Sequence, residues 1–210
     1  MQKETKILLG IITAIVAGMI GLFMVFNQGG TSTTADAGKL VREDSQKKGS
    51  GSVTMVEFGD YQCPSCAAVD PTVQKLLAEY PDKLTFVFRN FPLETIHKNA
   101  MSAAKYAEAS AKQNKFWQMH DQLYARQTEW SDLANPTDKF LEYAKGLGMN
   151  TDQLKKDAAS TEISKLISRD MEDGNALGVT GTPTFFVNGK QIASSDYNSL
   201  KAAIDEAFKQ

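Results

Sequence analysis

Residues 63–66 read Cys-Pro-Ser-Cys and stand where strand-forming sequence gives way to helical periodicity. VTMVEF, residues 53 to 58, is β-branched and apolar and reads as a strand. From Ala67 the apolar residues Val69, Val73, Leu76, Leu77 and Tyr80 fall near one helical face. Pro71 is expected to kink that helix or delay its regular part, and Pro81-Asp82 to end it. LTFVF, residues 84 to 88, is a second apolar strand. A strand–helix–strand unit of this length favours two parallel strands with a right-handed crossover. The chain is thereby committed to an α/β layer structure, with the two cysteines at its first strand-to-helix junction.

Residues 95 to about 177 look helical throughout. Alanine is dense from Ala100 to Ala111, and Phe116, Trp117, Met119, Leu123 and Tyr124 follow. Gly146 and Gly148 stop one helix, and Asn150 or Thr151 caps the next. Ile163, Leu166, Ile167 and Met171 mark a last helix of this insert. TFFV and KQIA then flank Asn188-Gly189, a strong hairpin signal. A final helix from about Asn198 carries a stripe of Leu200, Ala203, Ile204, Ala207 and Phe208 that it should bury. The expected architecture over 53–210 is a mixed sheet covered by helices, in the order βαβ, helical insert, ββα. Lys plus Arg number 23 and Asp plus Glu 25, so nothing in the charge favours a nucleic-acid partner.

Residues 7 to 26 are apolar apart from Thr13 and three glycines, and carry no charge. Twenty residues at about 1.5 Å each match the roughly 30 Å hydrocarbon core of a bilayer. A transmembrane helix is expected there, preceded by a cytoplasmic tail, residues 1 to 6, with Lys3 and Lys6. Ala35-Asp36-Ala37 offers a signal-peptidase pattern, but the apolar run exceeds the about 7–15 residues usual for a cleaved signal, so a retained anchor is favoured. Either way the remainder lies outside the cytoplasm, where disulfides persist. Residues 27 to 52 read as a linker. Leu40 and Val41 offer a strand start, but the GSGS end is linker-like.

Cys63 and Cys66 are the only cysteines. As a staple their disulfide closes too short a loop to add more than about 2 kcal/mol. A zinc site needs two more ligands, and His97 and His120 lack compact spacing. Neither a metal nor an organic cofactor is expected. Redox chemistry uses every local feature. At a helix start the unpaired amides and the dipole favour a thiolate at Cys63. Pro64 suits the first helical position. Cys66, one turn on and deeper, serves as the second thiol of an exchange reaction.

VTMVEFGDYQCPSC, RNFPL, HKNA, KFWQMHDQLY and GVTGTPTFFVNG together resemble the DsbA-like thioredoxin-fold proteins, over about residues 40 to 210. The resemblance implies a thioredoxin-like fold with a helical insertion, and a thiol–disulfide oxidoreductase. Cys63 then matches the nucleophile and Cys66 its partner. Thr182-Pro183 matches a loop whose cis-proline faces the cysteines and pairs with an extended substrate peptide. Glu57 matches a buried acid that moves protons between the cysteines; the other reading of Glu57 points it to solvent. Strongly oxidising members have histidine where this chain has Ser65, which implies a less acidic Cys63 and a milder oxidant. The implied substrates are reduced or unfolded exported proteins. Relatives also use a membrane redox partner, a contact that no motif here encodes. The alternatives are a reductase or isomerase of the same fold, and a non-catalytic peptide-binding module. His97 and His120 are assigned no role, Trp117 reads as core, and Lys105, Glu108, Lys112 and Lys115 as a solvated face.

Overall fold

A computed structural model describes residues 35–209. Nine helices and five strands lie among the described residues: α1 (Ala37–Leu40), β1 (Gln46–Lys48), β2 (Val53–Gly59), α2 (Pro64–Glu79), β3 (Leu84–Asn90), α3 (Ala100–Ala111), α4 (Phe116–Ala125), α5 (Gln127–Trp130), α6 (Thr137–Gly146), α7 (Thr151–Ala158), α8 (Thr161–Ala176), β4 (Thr184–Val187), β5 (Lys190–Ile192) and α9 (Tyr197–Ala207). The sheet order is β1-β3-β2-β4-β5. β2 and β3 pair in parallel, as a strand–helix–strand unit requires, and the other pairs are antiparallel. β2 and β3 are buried on both faces because helices cover both sides.

One face of the sheet packs Met55, Phe86, Phe88 and Phe185 against α2, the helical insert and α9, and this core includes both cysteines. The other face packs Val56, Phe58, Val87 and Phe186 with Leu40, Phe91 and Val179. There α8 comes so close that a Cβ on Gly174 would lie 2.8 Å from the Phe91 ring. α2 runs through Pro71, which removes the amide that would bond the Ala67 carbonyl. The hairpin forms as expected, with φ of 43° at Asn188 and 85° at Gly189, the left-handed pair that a two-residue turn needs. Asn150 caps α7 by accepting from the Gln153 amide.

Four expectations are corrected. The linker assigned to 27–52 does not extend through residues 37–48: α1 buries Leu40, and Gln46–Lys48 pairs with β3 as an edge strand. Leu40 is therefore helical and starts no strand. Glu108 is not on a solvated face but is 3% exposed, bonded to Asn90 and Gln46. Phe208 remains 38% exposed beside Tyr80, while Leu200 and Ile204 of the same helix are buried. Arg42 also ties the former linker to α8 through two 2.6 Å bonds to Asp173. The transmembrane helix at 7–26 lies outside the described residues. Among the described residues no helix is long and apolar enough to cross a membrane.

Candidate active site

Cys63 is the residue before the first turn of α2, with Pro64 at the first helical position. Proline fits there because that position has no intrahelical acceptor for an N–H. The Ser65 and Cys66 amides point back at the Cys63 sulfur. Both cysteines are thiols. Cys63 is 6% exposed and Cys66 fully buried, so the outer sulfur is the one that a substrate can meet.

The two thiols are pushed apart in acidity. Cys63 falls from an ordinary 9.0 to about 5. The leading cause is a hydrogen bond from the Cys66 thiol; burial opposes it, and Thr182 and the two amides add to it. That value sits above the roughly 3.5 of the most acidic thiol of this type. Cys66 moves far upward, first through burial, then because its proton is held by Cys63 and faces the Glu57 charge. Cys63 is thus a thiolate at neutral pH, and Cys66 keeps its proton.

Glu57 lies on β2 between Phe88 and Phe185 and is 2% exposed, which removes the solvent-facing alternative. Its Oε1 has no hydrogen-bond partner, and burial, then Asp70 and Cys63, raise it well above the usual carboxylate range. The Thr182-Pro183 bond is cis, and the Cys63 Sγ lies 3.4 Å from the Thr182 carbonyl. The Thr182 hydroxyl is buried without a partner of its own. The structure therefore brings Cys63 and the Thr182-Pro183 bond together, with Cys66 buried behind Cys63 and Glu57 in the adjoining strand β2.

Sequence reasoning missed the residues that hold this arrangement. Asp60 is 1% exposed; its Oδ1 accepts from the Gln62 amide, while its Oδ2 accepts from the Leu93 amide and lies 2.7 Å from His97 Nδ1. Gln62 accepts from the Asn99 amide and donates to the Ser131 carbonyl. Gln127 donates to the carbonyls of Tyr61 and Cys63. These side chains clamp the loop before Cys63 to the insert. Asp60, Gln62, His97 and Asn99 all fall inside the resembling stretches, so polar residues in a motif beside buried backbone were the available signal. Gln127 carried none. His120 is fully buried, with Nδ1 3.1 Å from the Tyr61 hydroxyl.

A sequence model of the family described as Thioredoxin matches residues 48–206. The chain belongs to the thioredoxin family. A probable disulfide bond formation protein D from Bacillus cereus is 35% identical over 175 residues, which is 80% of each chain. This thioredoxin-family chain also resembles a thioredoxin-like oxidoreductase from Silicibacter pomeroyi, with 30% identity, a TM-score of 0.74, and coverage of 84% of this chain and 99% of that one. BdbD from Bacillus subtilis, in its oxidised form, aligns at 27% identity with a TM-score of 0.69, covering 79% of this chain and 94% of that one. A Na(+)/H(+) antiporter, NhaA 3 from Salinispora tropica, is 39% identical over 158 residues, 74% of this chain but 23% of that protein. The chain thus spans under a quarter of the length of the antiporter it matches.

Proposed function

We propose that this protein introduces disulfide bonds into reduced, unfolded exported proteins by dithiol–disulfide exchange at Cys63 and Cys66. The observation that carries this reading is the opposite displacement of the two thiols. In the oxidised protein a substrate thiolate attacks the Cys63 sulfur, the more accessible of the two. The Cys63–Cys66 bond breaks, and Cys66 leaves with the electron pair and takes a proton, for which buried Glu57 is the donor. A second substrate thiolate then attacks the substrate sulfur of the mixed disulfide. Cys63 leaves as a thiolate, and a low thiol pKa makes it a fast leaving group. Cys66, protonated and buried, is a poor competitor for the reverse attack. The substrate has lost two electrons and the protein holds them as a dithiol.

Thr182 and Pro183 receive the substrate as an added extended strand, with backbone groups supplying the affinity. With Ser65 where the strongest oxidants have histidine, the protein is a milder oxidant than they are. The apolar run at 7–26 supports a retained anchor in the cytoplasmic membrane with the catalytic domain outside. A membrane redox partner then reoxidises the dithiol.

The test mixes oxidised protein with a reduced, unfolded exported protein bearing two cysteines. One substrate disulfide should form for each protein disulfide consumed, and Cys63→Ser should abolish it. Persistence of exchange in Cys63→Ser would refute the catalytic assignment. In the converse mixture, reduced protein with the same substrate in its disulfide form, net reduction of the substrate would place the protein on the reductive branch.

A further inference from the structure

The stretch KFWQMHDQLY is absorbed only in part by the exchange chemistry. Its helix, α4, carries three polar groups that are buried without a hydrogen-bond partner: His120 Nε2, Asp121 Oδ1 and the Tyr124 hydroxyl. His120 Nε2 points at α2, where Asp70 Oδ1 lies 3.4 Å away without hydrogen-bond geometry. One ligand atom from each of Asp70, His120 and Asp121 lies within 4.8 Å of the others. The His120 side chain is 1% exposed, so its free nitrogen has no bulk water to turn to, while Asp70 is 18% exposed and leaves a way in.

We propose that Asp70, His120 and Asp121 form a binding site for a divalent transition-metal cation of the zinc class. An imidazole nitrogen with two carboxylates is a donor set that zinc accepts, with bonds near 2.0–2.2 Å. Two ligands on a tetrahedral ion with such bonds stand about 3.3 Å apart, and the Asp70–His120 pair already has that spacing. Asp121 closes the remaining distance by side-chain rotation, and water completes the shell from the Asp70 side.

The surroundings fix the imidazole as an outer shell does in metal sites. The rings of Tyr61, Phe88, Phe116, Trp117 and Tyr124 enclose it, with centroids 4.9 to 6.0 Å away. When the cation takes the Nε2 lone pair, Nδ1 carries the proton and donates to the Tyr61 oxygen, 3.1 Å away. Gln74 donates to Asp70 and accepts from Lys48. Lys48 is a lysine whose positive charge acts on both carboxylates in the metal-free state. Its removal should therefore tighten metal binding, which a merely structural cluster would not predict. Sequence spacing gave no metal expectation because the ligands come from two helices about fifty residues apart.

The test is calorimetric titration of the full-length oxidised protein with Zn²⁺. Oxidation matters because free thiolates would themselves take the metal. One site is expected in the wild type, weakened at least about tenfold in Asp70→Asn and in Asp121→Asn, and tightened in Lys48→Ala. These carboxylates lie at the edge of the cluster, so the variants should fold, and circular dichroism checks that. Imidazole ¹⁵N spectra should show His120 moving to the Nδ1–H tautomer on Zn²⁺ addition. Absence of binding to the wild type at millimolar Zn²⁺, or binding unchanged in both asparagine variants, would overturn the proposal.

Discussion

Replacing Cys66 by alanine tests why Cys63 is acidic. The leading cause of its fall from 9.0 to about 5 is the Cys66 thiol hydrogen bond. A hydrogen bond to a charged group contributes about 1.5–3 kcal/mol, and one pKa unit corresponds to about 1.4 kcal/mol. Cys66→Ala should therefore raise the Cys63 pKa by about 1–2 units, leaving the Ser65 and residue-66 amides to hold the rest. The assay is the pH dependence of alkylation at Cys63, a single cysteine in the variant. In the wild type the buried Cys66 thiol stays protonated and silent. A midpoint that does not move would refute the ranking of causes, and a wild-type midpoint near 9 would refute the acidity itself. The sign of the linkage follows. A depressed thiol pKa stabilises the reduced fold fully above pH 9.0, and this is lost as pH falls to about 5. At pH 7 about half the window remains, at most about 3 kcal/mol before solvent screening trims it. The disulfide form has no thiolate and gains none of this. At about 30 mV per 1.4 kcal/mol, the potential should be raised by up to about 60 mV, and this contribution should vanish toward pH 5.

Other expected outcomes concern the buried groups. Glu108 is raised from 4.5 to about 7, mainly by burial, so the folded protein holds its proton and loses stability as pH rises through that window. Glu108→Gln should remove about 3 kcal/mol of that pH dependence in urea unfolding curves; an unchanged slope would contradict it. Arg89 is fully buried and bonds Asp170 and Asp173; Arg42 still pairs Asp173 without it, so Arg89→Met should cost about 3–5 kcal/mol by leaving buried Asp170 without a cation. A loss under 1 kcal/mol, against about 3 for a buried pair, would show that the network relaxes. Thr182→Val removes a buried hydroxyl that has no other partner and is free to turn its proton to the Cys63 thiolate, so the Cys63 alkylation midpoint should rise; a fall would mean that the hydroxyl stabilises the thiol instead. Glu57→Gln keeps the shape and removes the acid, and should slow mixed-disulfide formation from the oxidised protein in stopped-flow experiments. An unchanged rate would take Glu57 out of the proton path.

What was legible in the sequence was local. A β-branched run, helical spacing and an Asn-Gly pair each fix structure within a few residues, so β2, α2 and the β4–β5 hairpin could be read directly. β1 could not, because Gln-Lys-Lys has no apolar alternation; it is placed by its backbone ladder, in register with Lys48 opposite Phe86, and by bonds from Gln46 to Glu108 and Lys48 to Gln74. Glu108 looked solvated because charges spaced along an alanine-rich helix resemble an exposed face. Its partners Asn90 and Gln46 lie 18 and 62 residues away, a separation that periodicity does not encode. The same holds at the site. Cys63 and Cys66 announced themselves by residue type and spacing, and the proline loop only through the family resemblance. The clamp of Asp60, Gln62, Asn99 and Gln127 consists largely of side chains bonded to distant backbone, which periodicity does not record; apart from Gln127, their place inside the resembling stretches was the one signal.

The direction of exchange rests on the stability of the Cys63 thiolate, and the reduction potential of the protein, equilibrated against glutathione buffers, measures it most directly. The account predicts a value nearer about -120 mV than about -270 mV, because a stabilised reduced form makes the disulfide a donor. A value near about -270 mV, that of a thioredoxin-like reductant, would contradict it.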